Sequence, residues 1–213
     1  MGICAIAITG MAIGFFISPI MAAPAERAAL PEEAGVSSSP DANQIYQEGL
    51  SFDQAKNDLE ARKAYGKAAA MGHMMAQYRL AEKCLAGKGG SKDIIQGTHM
   101  LEMAAEQGGP NMWYAVSRLY LQLGDDPDTI NRAYFWLDKA AHRGDAASQA
   151  LLGSLYVMGK NGEKEYEKAY FWFTLASRKD SQYQKLVAST EKLLTPNQLR
   201  FVTKEIEAFR VSK

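Results

Sequence analysis

The sequence predicts an all-α protein, a right-handed α-solenoid of about four helix-pair repeats of 36 residues with a C-terminal capping helix. The first observation is an internal repeat. Lys67–Gly72 recurs as Met103–Gly108 and as Lys139–Gly144, each 36 residues further on, and a weaker copy follows as Leu175–Asp180. The second is that apolar residues within the repeats recur at three- and four-residue steps, the period of an amphipathic helix. Repeats of this length stack into solenoids, since one helix pair cannot bury its apolar face alone.

The N-terminal region predicts export from the cytoplasm. No charged residue occurs from Gly2 to Ala23, and the apolar run ends in the small residues around Pro24, which is typical of a signal-peptidase site. We therefore expect residues 1–25 to be a signal peptide and the mature chain to be periplasmic or secreted. No basic residue precedes the apolar run, which leaves an uncleaved membrane anchor or a buried helix as alternatives.

Downstream of this segment, prolines and a run of serines predict a flexible linker over residues 26–40. The repeat array is expected over 41–193, with units of about 37–72, 73–108, 109–144 and 145–180 and a partial unit over 181–193. A capping helix over 194–213 ends the chain. If Cys4 is removed with the signal peptide, Cys84 is the one remaining thiol, and we expect it to be a small buried side chain.

Each complete unit is predicted to contain two helices. In the unit over 145–180, a helical apolar pattern is interrupted at Gly159–Gly162, and a second helix is expected from about Tyr166 to Arg178. The second helices of the first three units should end at glycines in the left-handed conformation. These glycines are Gly72, Gly108 and Gly144. Asp180 replaces glycine in the last unit, so a less regular helix end is expected there.

The C-terminal region predicts two further helices. A helix over about 182–193 would begin an incomplete unit and cover the apolar face of the preceding helix. Thr195–Gln198 then predicts a capping box with proline at the first helical position. The helix that it opens has one apolar stripe, formed by Leu199, Val202, Ile206 and Phe209.

The order of small, aromatic and glycine residues is shared between units. In the second unit the shared pattern comprises Ala76–Leu80, Gly87, Lys92–Asp93 and Ala104–Gly108. In the unit over 145–180 it comprises Leu151–Gly153, Tyr156, Gly159, Lys168–Ala169, Trp172 and Ala176. This pattern resembles the Sel1-like repeat, a relative of the tetratricopeptide repeat, and the resemblance covers residues 73–180.

Together with an export signal, the resemblance implies a non-enzymatic scaffold or adaptor of the bacterial envelope or extracellular space, which binds other proteins or peptides. One alternative is a hydrolase acting on the cell wall or on β-lactams, and another is the same adaptor with an uncleaved membrane anchor. The sequence shows no nucleophile with a partner base and no general acid–base pair, so catalysis is not expected.

Composition and motifs disfavour several ligands. The 24 basic and 24 acidic residues cancel, so no long-range field attracts nucleic acid, and membrane contact is expected only through an uncleaved N-terminal segment. His73, His99 and His142 lack neighbours at metal-ligand spacing, and the glycines and lysines of 87–92 do not follow the order of a phosphate-binding loop. We therefore expect no metal and no cofactor.

By analogy with tetratricopeptide arrays, the first helices of the units should line a concave face that binds partners. The predicted partner-binding residues are Gln77, Tyr78, Trp113, Tyr114, Arg118 and Gln149. The aromatic pair Trp113 and Tyr114 would anchor the centre of this face. The glutamines at the positions equivalent to Trp113 suggest that its side chain faces solvent or a partner, and exposed Trp, Tyr and Arg residues dominate binding energy. The alternative is that Trp113 packs over its neighbouring helix.

Overall fold

The computed structural model of the chain describes residues 39–160 and 162–209. In these ranges the chain forms ten α-helices and one 3-10 turn, and no strand. The helices are α1 Pro40–Gln54, α2 Asp58–Ala70, α3 Met74–Ala86, α4 Ile94–Gln107, α5 Pro110–Leu123, α6 Pro127–His142, α7 Ala146–Met158, α8 Tyr166–Lys179, α9 Gln184–Glu191 and α10 Pro196–Ala208. The predicted signal peptide with Cys4, and the linker before Ser39, lie outside the described residues.

The described helices belong to two compact units. We call residues 39–140 the N-terminal unit, and residues 141–160 and 162–209 the C-terminal unit. None of the ten described helices has both the length and the hydrophobicity needed to cross a bilayer.

In the N-terminal unit, consecutive helices from α1 to α5 pack against each other along the chain. Several alanines of this unit are fully buried, and small side chains allow helix backbones to approach each other. The fully buried ones include Ala61, Ala68, Ala81 and Ala104. Larger buried side chains fill the remaining space, among them Tyr65, Leu101, Met112 and Tyr120. The core of this unit therefore combines small and large buried side chains.

Two of the three glycines that end the second helices have the predicted left-handed conformation. Gly72 and Gly144 have φ values of +84° and +81°, in the left-handed region as predicted. The prediction for Gly108 is wrong, because its φ is −88°. A Cβ atom at Gly108 would collide with the side chain of Met112. Glycine at this position therefore allows the next helix to approach closely.

In the C-terminal unit, α8 packs against α7, α9 and α10. Its core contains Val157, Ala169, Phe173, Leu186 and Val187. The helix expected over 182–193 is shorter in the structure and begins at Gln184. The Asp180 side chain accepts a hydrogen bond of 3.0 Å from the Gln182 N–H, and this contact starts the 3-10 turn Ser181–Tyr183 instead.

The predicted capping box at the start of α10 is confirmed. Thr195 Oγ1 accepts a hydrogen bond of 3.3 Å from the Gln198 N–H, and Gln198 Oε1 accepts one of 2.9 Å from the Thr195 N–H. Val202 and Ile206 of the predicted stripe are buried. The Phe209 ring, just after α10, packs edge-on against Phe171 with centroids 5.3 Å apart, so the last helix covers α8.

Candidate partner-binding groove

A groove of about 810 Å³ opens on the surface of the N-terminal unit, between the α1–α2 turn, α3 with its following loop, and α5. We call it the lysine groove. Its charged lining residues are Asp53, Lys56, Asp58, Arg79, Glu82, Lys83, Lys88 and Lys92. The rest of its lining is formed by Leu85, Ala86, Leu119, Gln122 and Leu123. Five basic and three acidic side chains give the groove a net charge of +2.

Lys83 is the most buried charge in the groove, with a side chain that is 10% exposed. Its Nζ donates to carboxylate oxygens of Asp53 and Asp58, and the distance to Asp58 Oδ1 is 2.5 Å. Tyr65 Oη donates to the other carboxylate oxygen of Asp53 at 2.7 Å. These bonds connect the end of α1 to α2 and α3, so they fix one wall of the groove.

The ionisation of this cluster follows from its contacts. Burial alone would lower the pKa of Lys83, but its hydrogen bonds to Asp53 and Asp58 raise that pKa above its ordinary value. The hydrogen bond from Lys83 lowers the pKa of Asp58. Lys83 and Asp58 therefore stay charged near neutral pH, and Lys83 is not suited to act as a base or nucleophile.

The remaining charges of the groove differ in their pairing. Arg79 and Glu82, three residues apart on α3, form an ion pair of 3.0 Å. Lys56, Lys88 and Lys92 are exposed, and none of them forms an ion pair within the described part of the chain. These three ammonium groups are therefore open to a ligand.

The loop that carries Lys88 and Lys92 is held in place from several sides. The Lys88 N–H donates to the Lys83 carbonyl at 2.9 Å, and Arg62 Nη1 donates to the Ser91 carbonyl at 2.9 Å. Gly89 has a φ of +70°, and its backbone lies so close to the Asp58 carbonyl that a Cβ atom would collide with it. The loop is thus tied to α3 and α2, and less conformational entropy is lost when a ligand binds.

Lys56 occupies a backbone conformation that favours glycine. Its φ is +56°, which makes it the one non-glycine residue with positive φ in the described ranges. The Lys56 N–H donates to the Asp53 carbonyl and the Asn57 N–H donates to the Phe52 carbonyl, each at 2.9 Å, which is the Schellman motif that commonly ends helices. A side chain at this position costs about 1–2 kcal/mol. Glycine would avoid the cost but would not place an ammonium group in the groove.

The structure buries five of the six residues predicted to bind partners. They are Gln77, Tyr78, Trp113, Tyr114 and Gln149. Only Arg118 is partly exposed, with its guanidinium carbon 5.8 Å from the centroid of the Tyr114 ring. Partner binding by these six residues remains a prediction. In the structure as described, a partner could reach only Arg118 unless the first helices rearrange.

The expectation that Trp113 faces solvent is wrong, because its side chain packs inside the N-terminal unit. It is 6% exposed, and its Nε1–H donates to the Ala105 carbonyl at 2.8 Å. Its ring stacks on Trp136 with centroids 6.3 Å apart, and Lys139 Nζ lies 4.5 Å from its centroid. The packing alternative for Trp113 therefore describes the structure.

None of the three unpaired lysines was selected from the sequence, although one signal was available. Lys56 and Lys92 are 36 residues apart, and each precedes the N-cap residue of a second helix, Asn57 in one case and Asp93 in the other. The repeat thus brings both lysines to equivalent positions. Lys88 has no such equivalent, since position 124 is glycine.

The described residues contain no group of three or more His, Cys, Asp or Glu side chains arranged to hold a metal. Cys84 is buried as expected, and its thiol donates to Gln96 Oε1 at 3.0 Å. Burial raises the pKa of this thiol, which lowers its reactivity.

Sequence comparison agrees with the repeat register. The sequence profile of the Sel1 repeat matches residues 42–73, 75–109, 113–145 and 146–181. The chain belongs to the Sel1 repeat family. Sel1 repeat proteins generally mediate protein–protein interactions and are generally non-catalytic scaffolds.

Three known proteins are similar to this chain. A Sel1 repeat protein from Oxalobacter formigenes is 24% identical, with a TM-score of 0.57 over 80% of this chain and 75% of that chain. A protective antigen present in uropathogenic Escherichia coli strains, described as displaying an SLR fold, is 23% identical, with a TM-score of 0.39 over 80% of this chain and 46% of that chain. An uncharacterised protein of Neisseria meningitidis serogroup B is 29% identical over 102 residues, which are 48% of this chain and 21% of that protein.

This chain therefore spans about a fifth of the length of the Neisseria relative. The Oxalobacter structure and the four profile matches confirm the predicted fold class, an all-α solenoid of helix-pair repeats.

Proposed function

We propose that this chain is a non-enzymatic scaffold of the bacterial envelope or extracellular space, and that a partner protein or peptide binds in the lysine groove. The family's general role in protein–protein interaction supports the scaffold role in the first part of the proposal. The observation that carries the second is a preformed groove in which three exposed lysines without ion pairs stand beside leucines of α3 and α5. Such a surface offers a partner both charge pairing and apolar contact.

Export is part of the proposal and rests on the sequence alone. The uncharged apolar stretch from Gly2 to Ala23 supports cleavage after Ala25, with a mature chain that begins near Glu26. Intact-mass analysis of the protein in cell fractions tests this. Full-length chain in the membrane fraction would indicate the anchored adaptor, and full-length chain in the cytosol would contradict export.

Affinity capture from the native envelope tests partner binding. The baits are the parent protein, a groove variant with Lys56→Glu, Lys88→Glu and Lys92→Glu, and a control variant with the same charge change at exposed lysines outside the groove. The control positions are Lys67, Lys185 and Lys204. We expect the parent and the control to retain proteins that the groove variant loses.

Equal capture by all three baits would contradict the groove as the partner site. Turnover of peptidoglycan or of a β-lactam by the purified protein, abolished by a single substitution, would contradict the non-enzymatic part of the proposal.

A further inference from the structure

We infer that the lysine groove recognises an acidic peptide segment in which carboxylate side chains alternate with apolar ones. The inference rests on the proposed function and adds the chemical class of the partner. It follows from the charges that the groove leaves unpaired, from the apolar residues between them, and from the conformation of Lys56.

The charge that remains after pairing is mainly positive. Lys83 lies between two carboxylates, Asp53 and Asp58, a cluster with a net charge of −1, and Arg79 is paired with Glu82. Lys56, Lys88 and Lys92 remain, and they come from two separate segments of the chain. A ligand that supplies separated carboxylates can pair with all three, and such rim pairs set specificity and association rate.

The apolar part of the groove lies on α3 and α5. Leu119 and Leu123 are one helical turn apart and partly exposed, and Leu85 completes this part of the lining. Apolar side chains of a ligand would remove the exposed parts of Leu119 and Leu123 from water. The ligand therefore needs apolar groups as well as carboxylates.

The same groove disfavours a polyanion such as nucleic acid. Asp53, Asp58 and Glu82 line it together with the lysines, so a continuous row of phosphates would meet carboxylates. The balance of 24 basic and 24 acidic residues also provides no long-range attraction for a polyanion. A peptide with spaced carboxylates fits this mixed lining better.

Lys56 supplies an independent observation. Its left-handed backbone, with φ +56°, is uncommon for residues other than glycine, asparagine, aspartate and histidine. Strain of this kind is concentrated at functional sites. The ammonium group that Lys56 adds to the groove gives that strain a function.

Fluorescence anisotropy with the full chain tests the inference. The probe is a short fluorescein-labelled peptide of glutamate pairs separated by leucines, and the matched probe has glutamine in place of every glutamate. A single-stranded oligothymidylate of similar length represents a polyanion. We expect the glutamate peptide to bind at least roughly tenfold more tightly than the glutamine peptide, and to weaken when ionic strength rises from about 0.05 M to about 0.5 M.

Variants assign the binding to the groove. Lys56→Gln, Lys88→Gln and Lys92→Gln together should weaken binding of the glutamate peptide at least roughly tenfold, because each exposed pair contributes up to about fivefold. The same change at Lys67, Lys185 and Lys204 should leave affinity unchanged. Circular dichroism and urea unfolding of both variants show that the fold is retained.

Equal affinity for the glutamate and glutamine peptides would overturn the inference, and so would tighter binding of the oligothymidylate or equal effects of the two triple variants. The capture experiment separates the inference from the proposed function. If the triple Lys→Glu variant of the groove loses captured proteins but the glutamate peptide does not bind the parent protein, the inference fails and the proposed function stands. If capture is also unaffected by the groove variant, both fail.

Discussion

The indole Nε1–H of Trp113 donates a hydrogen bond of 2.8 Å to the carbonyl of Ala105, eight residues earlier. The same contact recurs one repeat later, where Gln149 Nε2 donates to the Ala141 carbonyl at 3.0 Å. Each donor lies near the start of a first helix, and each acceptor lies near the end of the preceding second helix. A tryptophan and a glutamine thus make the same contact at these two equivalent positions, because both carry an N–H donor.

Trp113 is therefore expected to act on stability. Trp113→Ala should lower the free energy of unfolding by about 3–5 kcal/mol, since a large buried ring is lost. Trp113→Gln should be more stable than the alanine variant by about 1 kcal/mol, because it keeps the donor that Gln149 uses. Urea unfolding measures both. A folded Trp113→Ala protein with parental stability and weakened partner binding would instead support the anchor role expected from the sequence.

The features predicted correctly from the sequence depend on neighbouring residues or on the repeat. The left-handed ends at Gly72 and Gly144 and the capping box at Thr195 are local, so a short stretch of sequence determines each of them. Gly108 differs because its environment is set by Met112, a residue of the next helix that fills the space beside it. Close packing of this kind cannot be recognised from a glycine alone.

The lysine groove could be predicted only in part. The spacing of Lys56 and Lys92 follows the repeat, but Lys83 is paired with carboxylates 30 and 25 residues away, at distances unrelated to the 36-residue period. The sequence left exposure and packing of Trp113 both open, because glutamine at the equivalent positions suggests contact with water. A buried glutamine is compatible with the fold when a backbone carbonyl accepts its hydrogen bond.

Two glycines within helices should respond in opposite directions to alanine. Gly66 lies inside α2, and a Cβ atom there has no neighbour within 4 Å, so Gly66→Ala should raise the free energy of unfolding by about 0.5–1 kcal/mol. Gly49 lies inside α1, where a Cβ atom would be 2.5 Å from the Tyr65 ring. Gly49→Ala should therefore lower the free energy of unfolding by about 1–3 kcal/mol. Equal effects of the two substitutions, measured by urea unfolding, would contradict the described contact between α1 and α2.

The Lys83 cluster predicts how stability depends on pH. The pKa of Asp58 is lowered from 3.8, so its contribution is present above that value and is lost as pH falls through the lowered pKa. The pKa of Lys83 is raised from 10.5, so its contribution is present below that value and is lost as pH rises through the raised pKa. Lys83→Met should therefore lower the free energy of unfolding by a constant amount at every pH between the ordinary pKa of Asp58, 3.8, and that of Lys83, 10.5.

The difference between the parent and Lys83→Met should shrink at both extremes of pH. Unfolding free energies measured across the pH range give the comparison, and Lys67→Met controls for the loss of one exposed lysine. A difference that changes between pH values of about 5 and 9 would contradict the pairing, because neither Asp58 nor Lys83 titrates in that window.

Lys56 allows conformational cost and binding to be separated at one position. Lys56→Gly should raise the free energy of unfolding by about 0.5–1 kcal/mol, because relief of the left-handed conformation exceeds the added flexibility of the unfolded chain. Lys56→Ala keeps the Cβ atom and should give no such gain. Both variants remove the ammonium group, so both should weaken binding of the glutamate peptide by about two- to fivefold. Parental affinity in both variants would exclude Lys56 from the site, and equal stability of the two would show that its backbone carries no strain.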